Sequence, residues 1–249
     1  MHITPAIAAF QVHISLPQGG AALMLVRWVH FLAGITWVGL LYFFNLVNVP
    51  FLKELDGGTR ARVIPPLMTR ALWWFRWASV VTVLAGISYW MTIVTTDAHN
   101  ANASPGRAIW TFFAIWTVAF AIEMGALMSP AEVLRKGSVF GVICGVAAFA
   151  AAYAYLAINS DGWESNRLLS IGIGGGIGWF MMLNVWGIIW RMQKKIIRWT
   201  RENPTGGALP ADLARLARLT FLASRANFVL SVPMLFFMGA ASHYPMFGK

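Results

Sequence analysis

Residues 21–49 read AALMLVRWVHFLAGITWVGLLYFFNLVNV, a continuous apolar stretch in which Arg27 is the one formal charge. About 20 such residues cross the hydrocarbon core of a bilayer as a helix, so the stretch predicts a membrane span. Five more segments of the same kind follow, at approximately 71–95, 108–128, 139–158, 168–190 and 219–242. All are too long for strands of an ordinary sheet, and none alternates polar with apolar residues as a barrel strand would. The expected fold is all-α: a polytopic transmembrane bundle of about six helices, forming one membrane domain over residues 1–249.

Composition agrees. Of the 249 residues 58% are hydrophobic and 11% charged, whereas a soluble domain carries roughly 25% charged residues. So few charges leave little surface to face water. The net charge is +10, and its placement alternates. Lys53, Arg60, Arg62 and Arg70 follow the first segment, Arg135 and Lys136 the third, and Arg191, Lys194, Lys195, Arg198, Arg201, Arg215 and Arg218 the fifth. The second and fourth connections have only Arg107 and Arg167. By the positive-inside rule the basic connections are cytoplasmic and both termini lie outside. The partner of these charges is then the lipid bilayer's inner leaflet rather than nucleic acid, and the compartment is a bacterial inner membrane. Residues 59–70 and 211–218 could form short amphipathic helices on the cytoplasmic surface. The first twenty residues contain no Lys or Arg, so no secretory signal peptide is expected. The single Cys144 lies in an apolar run and provides no disulfide framework.

Polar residues inside spans are costly and mark candidate sites. On the first segment Arg27, His30, Gly34, Trp37, Asn45 and Asn48 fall within an arc of about 80° at 100° per residue. This stripe must face protein, a cofactor or water. A neutral imidazole in an apolar bundle suits haem iron, which makes His30 a candidate metal ligand. Arg27, one turn outward, could pair with a propionate, and Gly34, one turn inward, would admit a flat macrocycle. A histidine hydrogen-bonded to a neighbouring helix is the simpler alternative. The last segment adds Arg225, Asn227, Ser231, Pro233 and, at its outer end, His243, with a kink expected at Pro233. His243 and His30 differ in depth by on the order of 10 Å, which argues against one group held by both. Towards the cytoplasm Arg76, Glu123 and Arg225, with Asn45 and Asn48 beside them, predict a carboxylate–arginine clamp.

Other patterns carry less. The run from Gly172 to Gly178 lacks the spacing and the preceding strand of a dinucleotide loop; it suits close helix packing or a flat ligand. Met234 and Met238 lie one turn apart and could bind copper, but Met is also common core filling. Asp97, His99 and Asn100 are expected on an outer loop.

The motif from Arg27 to Gly39, RWVHFLAGITWVG, resembles the first helix of the membrane domain of bacterial membrane-bound urate oxidase. Ser224-Arg225-Ala226-Asn227, the segment from Leu230 to Phe236, and Ser242-His243-Tyr244-Pro245 resemble that domain's last helix and its HYP ending. The first-helix motif is also similar to that of HemJ-type protoporphyrinogen oxidases, which bind haem b through a histidine. The resemblance implies a membrane redox protein. It carries His30 and His243 over as the matching histidines, and Arg27, Arg76, Arg225 and Asn227 as the matching polar positions. In the urate oxidase family this domain is joined to a cytochrome c, but the sequence contains no CxxCH motif. Urate turnover is then expected to need a separate acceptor, with a cytochrome c or a respiratory complex subunit as partner. Two readings follow: a haem b oxidoreductase that passes electrons to a respiratory cytochrome, with His243 as second ligand or outer-site residue, or a non-enzymatic anchor or accessory subunit of such a complex. Transport or copper handling ranks third, since no inverted repeat supports it.

The orientation is testable by labelling. In a background with Cys144 replaced, a membrane-impermeant maleimide applied to intact cells should label Ser104→Cys and leave Thr205→Cys unlabelled; the reverse pattern would invert the topology.

Overall fold

The computed structural model describes residues 20–247. It contains six helices long and apolar enough to cross a membrane: α1 (Gly20–Glu54), α2 (Gly57–Asn100), α3 (Gly106–Met128), α4 (Gly137–Ile158), α5 (Asn166–Glu202) and α6 (Ala211–Ala240). No strand occurs among the described residues. The N-terminal residues on which the signal-peptide expectation rests lie outside the described region. Side chains exposed on the outside of the bundle are themselves apolar, among them Trp110, Val118, Val142 and Phe149. That suits a hydrocarbon solvent.

Local chemistry sets the helix starts. Asp56 caps α2 by accepting from the Thr59 amide at 3.0 Å, and Ser165 caps α5 by accepting from Leu168 at 3.1 Å. At 1.5 Å per residue the 44 residues of α2 extend about 66 Å, well beyond a bilayer core of about 30 Å. This corrects the expectation of separate surface helices. Residues 59–70 and 211–218 are continuous with spans α2 and α6, and α5 likewise runs on to Glu202. The α5 extension packs on both α2 and α6 at the basic end of the bundle. The loop after α5 closes against the start of α2 at Gly206, whose φ is +79° and whose missing Cβ would lie 2.7 Å from the Gly57 carbonyl. Asp97, His99 and Asn100, expected on a loop, form the last turn of α2. The helix α6 continues through Pro233.

The central element is α5. Of its most apolar stretch 72% is buried, against 28–39% for the other five helices. Its glycines make that possible. A Cβ at Gly176 would fall inside the Trp116 indole of α3, and one at Gly172 inside the Tyr155 ring of α4. A Cβ at Gly174 would lie 3.1 Å from the Met234 carbonyl and 3.2 Å from the Met238 amide nitrogen of α6. Polar anchors set the register. Trp116 Nε1 donates to the Gly172 carbonyl (3.2 Å) and Trp90 Nε1 of α2 to the Leu168 carbonyl (3.3 Å). Trp90 and Phe112 lie face to tilted face with centroids 4.6 Å apart. Two π-helical segments, Phe43–Asn48 in α1 and Val185–Ile189 in α5, interrupt the α-helical ladder.

Gly176→Ala should therefore overpack the α3–α5 contact and destabilise the bundle by about 1–3 kcal/mol, read as a lower unfolding temperature in detergent, whereas Gly141→Ala, with open space at its Cβ position, should leave that temperature near wild type.

Candidate functional site

A cavity of about 440 Å³ opens between α1, α2, α3, α5 and α6. That size lies within the usual range for small-molecule and cofactor sites. Four residues of the α1 stripe line it: Arg27, His30, Gly34 and Trp37. The stripe therefore faces a cavity over this half of the helix. The imidazole of His30 is laid on α2, with Nδ1 2.7 Å from the carbonyl oxygen of Thr82. A carbonyl can only accept, so Nδ1 carries the proton and the neutral ring keeps its lone pair on Nε2. No hydrogen bond to Nε2 occurs among the described residues. Gly86 makes this seat: a Cβ there would lie 2.9 Å from both Cε1 and Nδ1 of the ring. Gly34, Gly39, Gly175 and Gly178 leave other parts of the wall without side chains. The Trp37 indole N–H is buried and has no partner among the described residues. Arg27 lies against the Phe31 and Tyr89 rings, 5.7 and 6.0 Å from their centroids, and pairs with no carboxylate among the described residues.

His243 lies elsewhere. It is exposed on the turn after α6 and lines a second hollow of about 450 Å³ with Asp97, Asn166 and Arg167. The two histidines thus border different spaces, although Ala241 and Ser242 line both. The turn is held by Asn166. Its side-chain amide donates to the carbonyls of Ala241 (3.2 Å) and Tyr244 (2.9 Å), and its Oδ1 accepts from the amides of Met246 (2.8 Å) and Phe247 (2.9 Å).

The inner polar residues form a different arrangement from the expected clamp. Glu123 is fully buried, but no arginine meets it. Asn184 Nδ2 donates to Glu123 Oε2 (2.7 Å) and to Asn227 Oδ1 (2.9 Å), and Asn227 Nδ2 donates to the Met181 carbonyl (3.0 Å). One amide, that of Asn184, reaches the carboxyl without bringing a second charge into the apolar core, and Oε1 is left without a hydrogen-bond partner among the described residues. The arginines settle on aromatic faces instead. Arg76 lies 3.9 Å from the Trp190 ring centroid, and Arg225 lies 5.4 and 5.7 Å from those of Phe221 and Phe228. Asn45 ties α1 to α6 through Ser224 (3.0 Å), and Asn48 ties it to α2 through the Met68 sulfur (3.8 Å).

The profile of the urate oxidase N-terminal family matches residues 57–249. The chain belongs to that family. No match was found among curated proteins or among solved structures. The family match covers α2 to α6, with Gly86, Glu123, Asn184 and the HYP segment, and begins after α1. Arg27, His30 and Gly34 are thus placed in the site by packing rather than by the family match.

Gly86, Thr82, Asn166 and Asn184 were not singled out from the sequence. Asn184 could have been, as an amide within an apolar span. Gly86 and Thr82 carried no signal, since their roles depend on which helix receives His30. Asn184→Leu should strand both Glu123 and Asn227 and cost about 1–3 kcal/mol in detergent unfolding. Glu123→Gln, which keeps an acceptor oxygen for Asn184, should cost less.

Proposed function

We propose that this protein is a haem b redox protein of the bacterial inner membrane, passing electrons to a respiratory cytochrome. The observation that carries the reading is the seating of His30: one ring nitrogen is committed to the Thr82 carbonyl, and the other is left as a ligand on the wall of a mostly apolar cavity. Histidine ligands commonly have the opposite ring nitrogen held in this way, which fixes tautomer and orientation. The rest of the lining fits the same group. Gly39 leaves open space on the α1 wall, and Arg27, which pairs with no carboxylate among the described residues, offers a cation for a propionate. Trp37 offers a buried N–H with no acceptor among the described residues. When bound, haem supplies one-electron chemistry; the chain's part is to hold it, exclude water and set its surroundings. Thr82 and Gly86 position His30, and the aromatic packing of Trp90 and Phe112 closes the α2–α3 side. His243, on the exposed turn, belongs to the outer surface where a cytochrome would approach.

The purified protein should show a Soret band that shifts on reduction. His30→Ala should lose most of it, and Gly86→Leu, which displaces the ring, should weaken it. A folded preparation that stays colourless after haem is supplied would reject the reading in favour of an accessory subunit without cofactor.

A further inference from the structure

Two methionines of α6, Met234 and Met238, line the same cavity as His30. Their depth relative to His30 follows from contacts already described. The Trp90–Leu168 hydrogen bond sets α2 against α5. The helices are antiparallel, so one turn inward along α2 brings Gly86 about level with Gly172, and a further turn brings Thr82 about level with Gly176. The His30 ring, held between Thr82 and Gly86, therefore lies in the band from Gly172 to Gly176. On the far helix, Gly174 packs on the backbone of Met234 and Met238, which places them in the same band.

The two methionines are seated differently. The Met234 side chain is buried, with its sulfur 3.7 Å from the Cβ position of Gly178, deeper than the His30 band. Met238 is half-buried, and its terminal methyl lies 3.5 Å from the Cβ position of Gly175, within that band. Each cavity wall thus has a donor residue laid over a glycine of its neighbour: His30 over Gly86 on the α1–α2 side, Met238 over Gly175 on the α5–α6 side. A thioether is a neutral, soft donor that can sit in an apolar wall without desolvation cost.

Building on the haem reading above, the geometry points to Met238 as the second axial ligand, giving a histidine–methionine pair that raises the reduction potential. His243, on its separate hollow, is then not a ligand.

The test is spectroscopic and needs no turnover. The oxidised wild-type protein should be low-spin, with the far-red sulfur-to-iron charge-transfer band, and its reduced form should resist carbon monoxide. Met238→Leu should keep its haem, lose that band, turn high-spin and bind carbon monoxide readily. Met238→His should regain a low-spin spectrum at a lower potential, which is possible only if position 238 faces the iron; it also covers the case in which the leucine variant fails to fold. A charge-transfer band that survives in Met238→Leu, or that is lost in Met234→Leu or His243→Ala instead, would overturn the assignment while leaving haem binding intact. A wild-type protein that takes up no haem would overturn both.

Discussion

Close approach to α5 is the constraint on which the rest of the structure depends. In lipid no hydrophobic force drives helices together, and small residues that let backbones and rings come near do much of that work. Here the glycines of α5 are divided among its neighbours. Gly172 receives Tyr155 of α4, Gly176 receives Trp116 of α3, and Gly174 receives the backbone of α6. Tryptophan N–H groups then bond to α5 carbonyls and set the depth of α2 and α3. Of the other three, Gly187 receives Phe120 of α3, and Gly175 and Gly178 line the cavity. One short sequence thus both builds the bundle and forms a wall of its site.

The interior holds its polar groups in two levels governed by different rules. At Glu123 a neutral amide, Asn184, donates to one carboxyl oxygen and is itself held by Asn227, so no second charge enters the apolar core. The arginines at that end lie on tryptophan and phenylalanine faces, where a delocalised cation is stabilised without a buried counterion. In the other half the polar groups border open volume. Among the described residues none bonds to His30 Nε2 and no carboxylate pairs with Arg27. That contrast separates a structural network from the candidate ligand site.

Much of the fold was legible because membrane helices are long and their code is simple. Apolar segments of about 20 residues identified all six spans, and the stripe from Arg27 to Trp37 identified the face of α1 that meets the cavity. The ends of the helices were less legible. The basic stretches at 59–70 and 211–218 have the composition of surface helices, yet nothing in them breaks the helix, so they continue the spans. The expected Glu123–arginine pair failed for a related reason: similar depth does not establish contact, and each helix's rotation chooses its neighbours.

By itself the sequence determined that this chain is a six-span membrane bundle, with basic connections on one side and a histidine on an inward-facing polar stripe. Length, apolarity and helical period suffice for that, because the bilayer leaves the backbone few alternatives. Only the tertiary structure decided that His30 rests on Gly86, that Asn184 rather than an arginine donates to Glu123, and that His243 lies outside the cavity. Those outcomes depend on the register and rotation of helices whose partners are far apart in sequence.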